Sequence, residues 1–204
     1  SRPVESVRQV LCAVEQEGKY DMLLSLLQKA GEGQTLVFTR TKHRAKKLAI
    51  QLSRASISAT SLQGNLSQGQ RQTAMDGFRS GRVQVMVATD IAARGIDVSQ
   101  ISHVINYDVP DTADAYTHRI GRTGRMSRLG TAYTLATQED TQMIRSIERL
   151  LGRPLERMNG SRAASPAAQP AKTETRPAAA PRPQTNPGRR NWSTRRSQLC
   201  STSI

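Results

Sequence analysis

Residues 35–62, TLVFTRTKHRAKKLAIQLSRASISATSL, indicate the fold class. The run Thr35 to Thr39 predicts a buried strand, because the run is short, apolar and rich in β-branched residues. Lys42 to Arg54 places apolar residues at helical spacing and predicts a helix, and Ile57 to Leu62 predicts a second strand. A strand, a helix and a strand in this order are typical of an α/β protein.

The same alternation continues on both sides of this stretch. Upstream, Val7 to Val14 predicts a strand and Lys19 to Ala30 a helix that Gly31 ends. Downstream, the pattern predicts helices at Ser67 to Arg79, Thr112 to Ile120 and Gln138 to Leu151, and strands at Val83 to Ala88, His103 to Asn106 and Thr131 to Leu135. We therefore expect a mostly parallel sheet with helices on both faces, and ligands beyond the carboxyl ends of its strands.

Composition divides the chain of 204 residues, which has a formal net charge of +14. Residues 1–157 contain all the predicted strands and helices, whereas residues 158–204 are rich in Ala, Pro and Arg and lack large aliphatic runs. We predict a folded domain over 1–157 and a disordered basic tail over 158–204. Nine Lys or Arg residues and one acid lie between Arg157 and Ile204. Such charge indicates a polyanion such as nucleic acid, and a solubilising tail without a specific target is the alternative.

Cysteine usage and hydropathy exclude several classes of protein. Cys12 and Cys200 are far apart in the sequence, so neither a disulfide framework nor a zinc site is predicted, and we expect no metal ligands. A reducing cytoplasm fits this usage. No stretch approaches the roughly 20 apolar residues of a membrane span, and no signal-peptide pattern is found at the N-terminus. The sequence begins with Ser1 instead of Met, from which we expect that it begins within a longer protein.

One segment concentrates arginines and glycines after a predicted helix: His118-Arg119-Ile120-Gly121-Arg122-Thr123-Gly124-Arg125. We expect Asp111 to cap the start of that helix. Arg122 and Arg125 are three residues apart and can present two guanidinium groups to one phosphate group, as arginine fingers require. A solvated basic loop, or pairing of these arginines with carboxylates of the same domain, is the alternative.

A second segment, Val87 to Asp97, reads VATDIAARGID and begins in a predicted buried strand. It places the Thr89 hydroxyl, the Asp90 and Asp97 carboxylates and the Arg94 guanidinium just past the strand end. Polar groups at this position of a parallel sheet indicate a ligand site. A turn-capping role for Asp97 is the alternative.

Together the two segments resemble motifs V and VI of the DEAD-box RNA helicases of superfamily 2, whose core is two RecA-like lobes. His118 and Thr123 favour the RNA-directed branch. Further segments in the same order resemble that family: Leu36 to Lys42 is similar to motif IV, and Gln68 to Arg71 to the element called IVa. Leu62 to Asn65 stands where the family often has His-Gly-Asp. The resemblance is to the C-terminal lobe of this family and covers about residues 1–157. In its detailed sequence the chain is similar to the bacterial RhlE-like group.

The resemblance implies a role for each matching residue. Arg122 and Arg125 would be catalytic arginine fingers on ATP, Gly95 and Asp97 would bind ATP, and His118 and Arg94 would couple the ATP side to the RNA side. The implied RNA contacts, to phosphate and sugar without regard to sequence, are Thr41, Gly64, Gln68, Arg71 and Thr89.

Two family elements are absent from the sequence: a Gly-x-x-x-x-Gly-Lys-Ser/Thr loop and an Asp-Glu-Ala-Asp segment. In the family these elements lie in the first lobe, so ATP and Mg²⁺ would be held mainly by that lobe. We therefore predict that this chain does not hydrolyse ATP alone and that its partners are RNA and a first RecA-like lobe. A stand-alone basic RNA-binding module is the alternative function, and a DNA translocase lobe is a third.

Overall fold

A computed structural model describes residues 6–94, 96, 100–124 and 129–158. The strands are β1 (Val7–Ala13), β2 (Gln34–Phe38), β3 (Ala59–Leu62), β4 (Val85–Ala88), β5 (Ile101–Asn106), β6 (Gly130–Ala136) and β7 (Glu156–Arg157). The α-helices are α1 (Lys19–Ala30), α2 (Lys42–Arg54), α3 (Gln68–Arg79), α4 (Asp90–Ala93), α5 (Ala113–Ile120) and α6 (Thr141–Leu151). The predicted alternation of strands and helices is therefore confirmed.

The strands form a seven-stranded sheet in the order β3-β4-β2-β5-β6-β1-β7. Every pairing in the described sheet is parallel. Parallel neighbours need a crossover connection, and the helices between the strands supply it. The prediction of a mostly parallel sheet is confirmed.

Helices cover both faces of the sheet, as predicted. Phe78 of α3, Tyr116 of α5 and Ile147 of α6 belong to the core on one face. Leu26 of α1 and Leu48 of α2 belong to the core on the other face. Burial of each such side chain stabilises the fold by roughly 1.5–3 kcal/mol.

Helix starts follow from side-chain caps. Thr41 caps α2 by accepting a hydrogen bond from the Arg44 amide, and Ser67 forms a capping box with Gln70 at the start of α3. The predicted cap of α5 is wrong. Thr112 accepts from the Ala115 amide, whereas Asp111 lies one residue too early and instead pairs with Arg40, at 3.2 Å.

Three short elements were not predicted. The four residues of α4 are too few to show a helical period, and β7 has only two residues, which pair with β1. The predicted helix from Gln138 to Leu151 is divided into a 3-10 turn, Gln138–Asp140, and α6. The Asp140 carboxylate accepts hydrogen bonds from the amide and hydroxyl of Thr137, which explains the tight turn.

None of the helices in the described part of the chain is long and apolar enough to cross a membrane. The domain boundary after residue 157 stays a prediction. The predicted tail, apart from Met158, lies outside the described residues.

Candidate functional site

Three of the predicted RNA-side residues follow neighbouring strands. Thr41 comes after β2, Gly64 after β3 and Thr89 after β4, and these strands lie side by side in the order β3-β4-β2. Phe38 and Leu62, the last residues of β2 and β3, both pair with Ala88, the last residue of β4. The structure therefore brings Thr41, Gly64 and Thr89 to one edge of the sheet, which we call the strand edge.

Thr41 and Thr89 each lie at the start of a helix, where backbone groups of the first turn hold them. Thr41 is exposed, and its hydroxyl accepts a hydrogen bond of 3.2 Å from the Arg44 amide. Thr89 precedes α4, and its carbonyl accepts from the Ala93 amide at 2.9 Å. Its half-buried hydroxyl makes no capping hydrogen bond. The first turn of a helix thus holds Thr41 through its side chain and Thr89 through its backbone.

Gly64 lies in a compact turn after β3. The Gln63 side chain accepts a hydrogen bond of 2.7 Å from the Asn65 amide, and the Lys42 ammonium donates to the Asn65 side chain at 3.1 Å. Gly64 itself is exposed, and a methyl group added to it would meet no atom within 4 Å. Packing inside this domain therefore does not require glycine at this position.

Helix α3 brings Gln68 and Arg71 towards the strand edge. Gln68 is the exposed first residue of the helix. Arg71 is half-buried, and its Nη2 donates to the carbonyls of Ala92, at 2.9 Å, and Arg94, at 3.2 Å. These contacts fix the Arg71 side chain against the end of α4. The sequence did not predict this second role, because the acceptors lie more than 20 residues away.

Arg119, the first arginine of the Arg-rich segment, is an internal residue with 2% of its surface exposed. Its Nε and Nη2 donate to both carboxylate oxygens of Asp90, at 2.6 and 2.7 Å. Its Nη1 donates to the Asp108 carbonyl at 2.7 Å and to the Asn106 side chain at 3.3 Å, and its guanidinium lies 5.0 Å from the Phe38 ring centre. Arg119 thus joins α5 to the ends of β2, β4 and β5.

Thr123 and Gly124 of this segment do not lie at the strand edge, contrary to expectation. The buried Thr123 hydroxyl is 2.6 Å from the carbonyl of Ile101, the first residue of β5, and 3.1 Å from that of Ser102. Gly124 has φ +70°, and a methyl group there would come within 2.7 Å of Val7, the first residue of β1. These two residues follow a helix that runs back along the sheet, so they reach the amino ends of the strands. We call Arg119 to Gly124 the helix exit.

Arg122 connects the helix exit to the segment that follows α4. It is half-buried, and its Nη1 donates to the Ile96 carbonyl at 3.1 Å. His118 is exposed in the last turn of α5, and Arg94 is exposed at the end of α4. Gly95, Asp97 and Arg125 lie outside the described residues.

A cavity of about 540 Å³ at the carboxyl ends of β1, β2, β5 and β6 contains none of the predicted site residues. Lys19 lines it, buried, and donates to the Tyr107 carbonyl at 3.1 Å. Burial lowers the pKa of the Lys19 ammonium, and the Asp108 carboxylate, 4.0 Å away, acts in the opposite direction. Within the described ranges, no group of three or more His, Cys, Asp or Glu residues could hold a metal ion.

The chain is similar to a family model and to curated proteins over most of its described residues. The family model "Helicase conserved C-terminal domain" matches residues 18–127. The DEAD-box ATP-dependent RNA helicase CshA of Bacillus subtilis is 40% identical over 155 residues, which cover 76% of this chain and 31% of that protein. The probable ATP-dependent RNA helicase DDX4 of Pelophylax lessonae is 42% identical over 148 residues, 71% of this chain and 20% of that protein. The chain therefore spans about a third or less of these curated relatives.

Solved structures agree with these relatives. The Escherichia coli DEAD-box protein SrmB, bound to the regulator of ribonuclease activity A, has a TM-score of 0.71 and 37% identity, covering 78% of this chain and 98% of that one. Saccharomyces cerevisiae Dbp5 bound to RNA and ADP BeF3 has a TM-score of 0.69 and 31% identity, covering 75% of this chain and 41% of that one. This chain therefore belongs to the helicase C-terminal domain family and is similar over its RecA-like lobe to the C-terminal lobes of DEAD-box proteins.

Proposed function

We propose that this chain supplies backbone contacts to single-stranded RNA and arginine fingers to ATP, within an ATP-dependent RNA helicase. The observation that carries the proposal is the assembly of Thr41, Gly64 and Thr89 on three adjacent strand ends, with Gln68 and Arg71 beside them. Support also comes from Dbp5, a relative whose structure was solved with RNA and ADP BeF3.

The strand edge suits phosphate and sugar. Two hydroxyls, an open glycine and a guanidinium are groups that bind the nucleic-acid backbone without reading base edges. Since no contact inside the domain requires Gly64, we infer that an approaching RNA backbone does. RNA binding is therefore expected to be independent of sequence.

The ATP-binding side is proposed to combine the segment from Val87 to Asp97 with the segment from His118 to Arg125. The hydrogen bond from Arg122 to the Ile96 carbonyl keeps the finger beside the segment in which Gly95 and Asp97 flank Ile96. Gly95 and Asp97 would meet the ATP ribose, and Arg122 and Arg125 the γ-phosphate. His118 and Arg94, both exposed, would couple this side to the RNA side.

The phosphate groups and Mg²⁺ are proposed to be held by a first RecA-like lobe, because the sequence has no phosphate-binding loop. ATP supplies the phosphoryl group whose transfer to water drives the cycle. This chain would stabilise the charge that develops on that group, since a guanidinium is permanently charged and donates several hydrogen bonds. The chain alone is then inactive. Membership of the RhlE-like group and a place in the cytoplasm are further parts of the proposal.

RNA-stimulated ATP hydrolysis tests the proposed arginine finger and the need for a first lobe. The 204-residue chain is measured alone and with an added first RecA-like lobe of a DEAD-box helicase, as wild type and as Arg122→Ala. We expect activity only with both lobes, and a loss of about 10³-fold in Arg122→Ala. Arg145→Ala, an exposed arginine on α6, is the matched control and should be fully active. Hydrolysis by the chain alone, or equal rates in Arg122→Ala and wild type, would show the assignment to be wrong.

A further inference from the structure

Helix α2 carries positive charge that the sites above do not use. Its 13 residues, KHRAKKLAIQLSR, include five Lys or Arg residues and no acid. The helix buries Ala45, Leu48, Ala49 and Leu52 against the sheet. His43, Lys46, Lys47, Ile50 and Arg54 are exposed, and we call these five residues the α2 face.

The cations in the first half of this helix oppose one another and the helix dipole. Lys42 and Lys46 are four residues apart and Arg44 and Lys47 three apart, so cations face cations. Its first turn contains no acid, although the amino end of a helix favours negative charge. Helix α3, by contrast, mixes signs where Asp76 precedes Arg79. A solvated helix face needs no such arrangement, whereas a bound polyanion would neutralise it.

Some of the cations have partners and others do not. Lys42 donates to the Asn65 side chain, and Arg44 pairs with Asp108. Among the described residues, no ion pair involves Lys46, Lys47 or Arg54. These three side chains are therefore available to an external anion.

The α2 face also begins at the strand edge. The helix starts directly after Thr41 and ends at Arg54, a length of about 20 Å at 1.5 Å per residue. Lys47 and Arg54 are seven residues apart and therefore lie on the same side. Between them Ile50 keeps 44% of its surface exposed and offers an apolar contact to a sugar or base. A chain of phosphates that passes Thr41 can continue along this helix.

Resting on the proposed function, we infer that the α2 face is a second RNA-binding surface, which holds the phosphates of nucleotides that extend past the strand edge. Lys46, Lys47 and Arg54 provide the charge, and the strand edge provides the oriented contacts. Short RNA occupies the strand edge alone, and longer RNA occupies both surfaces. The affinity of the chain for RNA then increases with the length of the RNA, because longer RNA also contacts α2.

The test compares two lengths of single-stranded RNA, about four and about 16 nucleotides, bound to the full 204-residue chain over a series of salt concentrations. The variant K46A/K47A removes two cations and should keep the helix, because alanine is the strongest helix former. R145A/R149A removes two exposed cations from α6 and is the matched control. Thermal unfolding of both variants checks that each is folded.

We expect K46A/K47A to bind the long RNA about twentyfold more weakly at about 0.1 M salt, with a salt slope smaller by about 1.4, as the loss of two phosphate contacts requires. Its affinity for the short RNA should equal that of wild type, and R145A/R149A should equal wild type for both RNAs. Equal losses in the two variants would mean that only total charge matters, and equal binding of long RNA by K46A/K47A and wild type would exclude the α2 surface. Either result overturns the inference while the proposed function stands. Failure of wild type to bind either RNA would overturn the proposed function itself.

Discussion

The strand edge and the helix exit hold their polar groups in different ways. At the strand edge Thr41 and Gly64 are exposed and Thr89 half-buried, and backbone turns and helix starts place them. At the helix exit Arg119 and Thr123 are buried and bonded to the ends of distant strands. Changes at Arg119 and Thr123 should therefore affect folding, whereas changes at the strand edge should affect RNA binding and leave folding almost unchanged.

The largest loss of stability is expected for Arg119→Ala. The change removes a buried guanidinium that bonds to Asp90, Asn106 and the Asp108 carbonyl, and it leaves these groups without their donor. Asp90 is 44% exposed and regains water, so we expect a loss of about 3 kcal/mol in the free energy of unfolding, at the low end for a broken buried pair. Urea denaturation measures it. Arg149→Ala on the exposed side of α6 should stay within about 0.5 kcal/mol of wild type, and equal losses in both would contradict the contrast.

Thr123→Val is expected to come second. Valine keeps the volume of the side chain but cannot donate a hydrogen bond to the Ile101 or Ser102 carbonyl. We expect a loss of about 1–1.5 kcal/mol, the net value of a buried hydrogen bond. The same denaturation experiment measures it, with Thr123→Ser as the control that keeps the hydroxyl. If the valine variant is as stable as wild type, the hydroxyl does not anchor the helix exit.

Two substitutions at the start of α5, the helix that leads to the helix exit, should have smaller effects on the free energy of unfolding. Thr112→Ala removes the side-chain cap and should lower the free energy of unfolding by about 1 kcal/mol. Asp111→Ala removes an exposed ion pair with Arg40 and should change it by less than about 0.5 kcal/mol. Thermal unfolding of the two variants ranks them. A larger effect from Asp111→Ala would restore Asp111 as the cap.

Gly64→Ala should have the smallest effect on folding. The added methyl group meets no atom within 4 Å, so the free energy of unfolding should stay within about 0.5 kcal/mol of wild type. Affinity for single-stranded RNA should nevertheless fall about tenfold, equivalent to about 1.4 kcal/mol, because the methyl group keeps the RNA backbone away. Fluorescence anisotropy with labelled RNA measures it, with Gln142→Ala on α6 as the control. Unchanged RNA affinity would remove Gly64 from the site.

Local signals predicted most of the fold correctly. The bounds predicted for α1 and α2 agree with the structure, because Gly31 ends the first and Thr41 caps the second. Strand β4 begins at Val85, two residues later than predicted from the apolar run. A strand begins where its neighbour allows pairing, and Val85 is the first residue of β4 to pair with β2 and β3.

The candidate site was predicted less completely, for tertiary reasons. The motif placed Thr41 and Thr89 on one edge through the parallel sheet, and the structure agrees. The pairing of Arg119 with Asp90 spans 29 residues, and no local pattern distinguishes that buried arginine from Arg122. The position of Thr123 and Gly124 at the amino ends of the strands depends on the direction of α5, which the residue types alone do not reveal.

The hydrogen bonds of Arg71 hold the short helix α4 in place. One turn of helix is not stable by itself, and α4 is held because Arg71 fastens the carbonyls of Ala92 and Arg94. The amide of Ile96 donates back to the Ala93 carbonyl, and the Ile96 carbonyl in turn receives Arg122. A side chain beside the strand edge and one of the helix exit thus bond to backbone carbonyls only two residues apart, those of Arg94 and Ile96.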